Sequence, residues 1–302
     1  MQSLLIPADD SDPAAAAAEY GFALAAQLDA TVHLLSVVDS SLVAGATYMG
    51  DSERTRERLH DRAQERVAAL ADTARDRGID PTGAVRSGIP AEEIVDYAGE
   101  QDLDGIVMGT HGRGDAARMA VGSVTDKVIR TSPIPVVSVN QEVIGTGAEP
   151  TEVDSLLLPT DGSEPAEAAA RRGLDLAQRL DATVHLLSVV DEEVASGLST
   201  VVGDPDTADD LTERATEHLS ALVTEAQRRG LEFVTVTTEG TPAAEIVAYA
   251  TENGIDAIVM GTQGRSGFDR LVVGNVTDDV VRDATVPVVT IGPSEEEFGD
   301  NA

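Results

Sequence analysis

LDATVHLLSVVD, residues Leu28 to Asp39, recurs letter for letter as Leu180 to Asp191, an offset of 152. Its centre, Thr31–Val38, alternates β-branched and aliphatic residues and reads as a strand. Before it lies Pro13–Leu28, Ala-rich and helical, with Asp12 as the expected cap ahead of Pro13. The offset then holds along the whole chain. Gly88 pairs with Gly240, Gly109 with Gly261, Gly112 with Gly264 and Gly122 with Gly274. A repeat whose period is domain-sized, with no net insertion, indicates two copies of one domain rather than a solenoid.

Working outward, each copy alternates short apolar runs with amphipathic stretches. In the first, Ser3–Pro7 is a strand, Glu53–Arg77 a long helix stopped at Gly78, and Gly83–Arg86 a short strand. Pro90–Glu100 is a helix, Gly105–Gly109 a buried strand, Ser123–Arg130 a helix and Pro135–Val139 the last strand. The second copy repeats this order as Leu156–Pro159, Pro165–Leu180, Thr183–Val190, a helix from about Leu211 to Arg229 and Phe233–Thr237. Pro242–Glu252, Ala257–Gly261, Asn275–Arg282 and Pro287–Ile291 complete it. Strands alternating with helices predict an α/β chain of two tandem doubly wound domains, each a parallel sheet with helices on both faces. The expected divisions are a domain over 1–140, a linker over 141–153, a domain over 154–293 and an acidic tail over 294–302.

The charge is −33, from 54 acidic against 21 basic residues, and Lys127 is the only lysine. Such a surface repels phosphate backbones and anionic membranes, and aromatic residues at 3% give no stacking platform for single strands. Nucleic acid and membrane are therefore not expected partners. The acidic residues are spread over helices, a pattern that keeps a surface hydrated in a salt-rich cytoplasm and points to a halophile. Cysteine is absent, so thiol chemistry and disulfides are excluded. With neither a signal-type start nor an apolar run of spanning length, a cytoplasmic location is expected.

The chemistry concentrates after the fourth strand. The first copy reads GTHGRGDAARMAVGSVT from Gly109, with Gly112, Gly122, Ser123 and Thr125; the second reads GTQGRSGFDRLVVGNVT from Gly261, with Gly264, Gly274, Asn275 and Thr277. Glycines let backbone approach an anion. The Gly122–Ser123 and Gly274–Asn275 steps open helices whose free N–H groups attract negative charge. The hydroxyls of Ser123 and Thr125 are expected to add donors for phosphate oxygens. A second constellation ends the first strand: Pro7, Ala8, Asp9, Asp10, Ser11 in one copy and Pro159, Thr160, Asp161, Gly162, Ser163 in the other. If first and fourth strands adjoin at a switch point, both loops line one crevice. Asp9 and Asp161 then accept from a ribose hydroxyl or adenine amine, or help hold a divalent ion. Helix capping is the competing role for both carboxylates.

The P-T-D-G-S loop, the G-x2-G-x9-G-[S/T] spacing and the final SPIPVVSV and TVPVVTI turns resemble the universal stress protein family over nearly all of both copies. The resemblance implies five strands in order 3-2-1-4-5 and ATP or AMP, with or without Mg²⁺, between strands one and four. It places Asp9 and Asp161 against adenosine, Val37 and Val189 against adenine, and the glycine loops with Ser123, Thr125 and Thr277 against ribose and phosphate. Pro7, Met108, His111, Val124, Pro159, Thr160, Met260, Asn275 and Val276 complete the implied nucleotide-binding set. It further implies pairing of domains through their last strands, here as an intrachain pseudo-dimer, with a homodimer as a further assembly. Departures fall at Ala8, Asp10, Asn275 and Gln263. Asp10 adds a carboxylate near the crevice, which weakens anion binding unless it turns outward or meets a cation.

His33 and His185 lie inside the second strand with no catalytic partner at suitable spacing, and read as structural. His60 and His218 read as solvated, and Arg113 and Arg265 as loop arginines able to neutralise phosphate. Neither a nucleophile–base pair nor a G-x4-G-K-[S/T] loop occurs. The expected role is a stress-response regulator binding adenine nucleotide. A nucleotide-independent scaffold and a slow ATPase remain the alternatives.

Overall fold

The computed structural model describes residues 1–41, 52–110, 122–140, 152–191, 207–262 and 275–292, with backbone alone at 52, 207–215 and 275. The chain divides into two compact units, Met1–Glu152 and Val153–Ala302. The first contains β1 (Ser3–Pro7), α1 (Asp12–Leu28), β2 (Thr31–Asp39), α2 (Ser52–Asp76), β3 (Thr82–Gly88), α3 (Pro90–Glu100), β4 (Gly105–Gly109), α4 (Ser123–Thr131) and β5 (Val136–Val139). The second contains β6 (Ser155–Pro159), α5 (Glu164–Leu180), β7 (Thr183–Asp191), α6 (Thr207–Arg229), β8 (Phe233–Gly240), α7 (Pro242–Glu252), β9 (Ala257–Gly261), α8 (Asn275–Asp283) and β10 (Val288–Ile291).

Within the first unit the strands lie in the order β3-β2-β1-β4-β5, all parallel. Within the second the order is β8-β7-β6-β9-β10, again all parallel. Each sheet thus has the 3-2-1-4-5 order that the resemblance implies, with its switch point between the first and fourth strands.

Burial on both faces explains the near-continuous apolar runs. Leu4, Leu5 and Ile6 are fully buried, as are Leu156, Leu157 and Leu158. Helices α1 and α2 pack over the sheet of the first unit, and α3 and α4 pack against each other. The central strands approach α1 and α5 closely because those helices carry glycine there. A Cβ at Gly21 would stand 2.7 Å from Ile6 Cδ1, and one at Gly173 would collide with Leu158 Cδ2.

One cap differs from expectation. Ser11, not Asp12, is the N-cap of α1: its backbone is extended and its Oγ accepts from Ala14 N at 3.2 Å. Ser163 does the same for α5 through Ala166 N at 3.4 Å. Asp12 is the first helical residue instead, where its charge suits the positive helix end. At the other ends Asp29 and Asp181 take left-handed backbone, with φ of 52° and 56°, and close both helices before the repeated strand. Gly78 follows α2 at φ 81°, as its place after the helix requires.

Where the first and fourth strands of each sheet begin, a carboxylate staple recurs. Asp104 Oδ2 accepts from Gln2 N at 2.6 Å, Ser3 N at 3.0 Å and Ser3 Oγ at 3.1 Å. Asp256 Oδ2 accepts from Asp154 N, Ser155 N and Ser155 Oγ at 3.1, 2.9 and 2.7 Å. These bonds fasten the start of the first strand to the turn before the fourth. Burial raises the Asp104 carboxyl, but the bonds from Gln2 and Ser3 outweigh it and hold it below the ordinary value. Among the described residues no helix is long and apolar enough to cross a membrane.

Candidate nucleotide-binding site

Parallel strands end on one edge, so the loop after β1 and the segment joining β4 to α4 leave the sheet side by side. The same holds for β6, β9 and α8. In the first unit Pro7 ends β1, and Ala8 continues the ladder by donating its N–H to Leu35 O at 2.8 Å. Asp9 follows, exposed, with Oδ1 accepting from Ser11 N at 2.9 Å and from the Ser11 hydroxyl. In the second unit Thr160 N donates to Leu187 O at 2.8 Å, and Asp161 Oδ1 accepts from Ser163 N at 2.9 Å. Each carboxylate is oriented by the serine that caps the next helix, so capping and site geometry are two ends of one arrangement.

The fourth strands supply the other wall. Met108 and Met260 are buried at their ends, each followed by glycine. A Cβ at Gly109 would collide with the Pro13 carbonyl, so glycine here lets the strand end meet the start of α1. Gly122 is buried and precedes α4 with φ −53° and ψ 137°, without a side-chain cap for the helix N–H groups. Ser123 is exposed and Val124 half-buried. The first turns of α4 and α8 also hold Asp126 and Asp278, a poor neighbour for an anion. Arg130 offsets the former, donating from Nε and Nη2 to Asp126 at 2.7–3.0 Å. Val276 is 37% exposed at the start of α8, and Val37 and Val189 stand half-buried near the ends of β2 and β7.

Thr125 departs from its expected part. Its hydroxyl donates to the Gly109 carbonyl at 2.8 Å, and the side chain is 4% exposed. Thr277 donates to Gly261 O at the same distance. A hydroxyl has one proton, so here it ties strand end to helix start rather than facing a phosphate. Asp10, expected to disfavour an anion, meets a cation: Arg66 grips it from α2. His218 is half-buried and lies against Gly162, not solvated. His111, Gly112, Gly264, Gly274, Gln263, Arg113 and Arg265 fall outside the described residues, as does the acidic tail from 294.

Sequence reasoning missed Arg66 and Ser36, which brace the β1 loop, and the partners of His33 and His185. His33 Nδ1 bonds Tyr97 Oη at 3.0 Å, and His185 Nδ1 bonds Tyr249 Oη at 2.8 Å. Burial pushes both imidazoles below their ordinary value and both phenols above theirs. These pairs link β2 to α3 and β7 to α7, and neither resembles a nucleophile with its base. Among the described residues no group of three His, Asp or Glu could hold a metal ion.

Known proteins resemble this chain in sequence and fold. The model of the Universal stress protein family matches residues 1–140 and 152–292. A universal stress protein of Methanocaldococcus jannaschii is 33% identical over 142 residues, covering 47% of this chain and 84% of that protein. One from Synechocystis is 24% identical over 313 residues, covering 96% and 99%. The crystal structure of a universal stress protein from Archaeoglobus fulgidus shares the fold with a TM-score of 0.74 at 20% identity, covering 96% of this chain and 98% of that one.

Proposed function

Because this chain belongs to the universal stress protein family, we propose that it binds adenine nucleotide, ATP or AMP, between the first and fourth strands of its units and acts as a stress-response regulator. The observation that carries this reading is a coincidence of place, repeated in both units. A serine-oriented carboxylate, Asp9 or Asp161, leaves the sheet beside a glycine-ended strand and the start of a nine-residue helix. The carboxylate accepts from ribose or from the adenine amine. Val37 or Val189 offers an apolar surface to the base. The N–H groups at the start of α4 or α8 receive phosphate. Gly112, Gly122, Gly264 and Gly274 give the phosphates a close backbone, and any Mg²⁺ travels with the nucleotide's own oxygens. Binding stabilises the folded chain by mass action and gives it two states to report.

The test is calorimetric titration of the nucleotide-stripped full chain with ATP and AMP, each with and without Mg²⁺. We expect saturable heat and a raised Tm, both abolished in the Asp9→Ala/Asp161→Ala variant. Absence of heat and of thermal shift with either nucleotide would refute the reading.

A further inference from the structure

Among the positions that differ between the copies, two in mutual contact differ together: Asp10 with Arg66 in the first, Gly162 with His218 in the second. In the first unit the pair is forked. Arg66 Nε donates to Asp10 Oδ1 at 3.0 Å, and Nη2 lies 2.6 Å from Oδ2. The third nitrogen, Nη1, donates to Ser36 Oγ at 2.7 Å, and Ser36 Oγ donates to the Ala8 carbonyl at 2.9 Å. The Arg66 side chain is 17% exposed and Ser36 is fully buried, so the guanidinium is fixed from the sheet side. Residues 8 and 10 are both held from α2 and β2, and Asp9 sits between them.

The second unit holds the same loop differently. Gly162 takes left-handed backbone at φ 74°, and the imidazole of His218 occupies the space a Cβ would need. Thr160 Oγ1 accepts from Gly162 N at 3.1 Å, a bond that Ala8 cannot offer in the first unit. One device is a forked ion pair, the other sets an imidazole against a glycine, and their halves do not mix. A side chain at 162 meets the imidazole and the wrong backbone region, whereas glycine at 10 leaves a largely buried guanidinium without its carboxylate.

We propose that Arg66 and His218 are positioning residues of the two candidate sites, bracing from behind the loops that present Asp9 and Asp161. Their role toward ligand rests on the nucleotide reading above; the brace itself is measurable without ligand. The ionic brace has an 81% exposed carboxylate and weakens as salt rises.

The experiment uses the full chain with the second site silenced by Asp161→Ala. Arg66→Lys keeps the charge and loses the fork, so it should fold where a neutral replacement would not. We expect its ATP Kd to rise about tenfold, and amide exchange at Ser11, whose N–H is held by Asp9, to quicken by about tenfold while Thr160, whose N–H is held by the Leu187 carbonyl, is unmoved. Ala8→Thr/Asp10→Gly/Arg66→His, which copies the second unit's pair together with its threonine, should restore both readings to within about threefold of the parent. Unchanged exchange at Ser11 in Arg66→Lys overturns the brace whether or not nucleotide binds. Faster exchange with an unchanged Kd, or no restoration by the copied pair, overturns the positioning role. If the unaltered chain binds no ATP, the nucleotide reading falls, and the exchange measurement still judges the brace.

Discussion

His33 and His185 sit half-buried against tyrosines, with rings edge-on at 5.8 and 5.7 Å between centroids. Burial lowers their proton affinity, so the folded chain takes up protons later than the unfolded one as pH falls. Stability is therefore fully present above the unfolded value of 6.5 and declines below it, until the folded imidazoles titrate in turn. We expect Tm to drop by a few degrees between pH 7 and pH 5, and this decline to shrink in His33→Gln/His185→Gln. An equal decline in that variant would place the titration elsewhere. The histidines were recognisable as structural in the sequence, but their tyrosines were not. Tyr97 and Tyr249 lie 64 positions away on another element. Only the packing of α3 on β2 brings such residues together, and periodicity within one element is blind to it. Arg66, 56 positions from Asp10, was hidden for the same reason.

At the scale of elements the repeated strand, the proline-opened helices and the glycine stops were all legible, because local backbone chemistry dictates them. The cap of α1 differs by one residue: Ser11 and Asp12 are both good caps, and it is Ser11 that takes extended backbone and accepts from Ala14 N, which leaves Pro13 second in the helix rather than first. Gly173 shows what sequence leaves open. In isolation it is a helix weakness, and Gly173→Ala should gain about 1 kcal/mol of helix propensity. The added methyl, however, meets the fully buried Leu158, and overpacking costs about 1–3 kcal/mol. The packing term dominates, so the urea midpoint should fall. A rise would mean that the Leu158 side chain swings aside freely.

For the whole molecule, the excess of 33 negative charges is the main lever on stability. Many described ion pairs are exposed on both sides, such as Arg56–Glu53 and Lys127–Glu92, and each of these is worth little. Salt screens the general self-repulsion more than it weakens these few pairs. Tm should therefore climb steadily from low to molar KCl, and a flat or falling curve would contradict this balance. The parallel, doubly wound class was readable from alternation alone. The candidate site was only partly so, since the loop after β1 is held by a residue on α2 and the loop after β6 is met by one on α6.

The bonds from Thr125 to Gly109 and from Thr277 to Gly261 span sixteen positions each. A stretch of chain whose ends are already tied has met its closure entropy during folding, so a ligand settling against it has only internal freedom to remove. On the proposed nucleotide reading, these two buried hydroxyls would thus lower the ordering cost of binding through the chain rather than by contact.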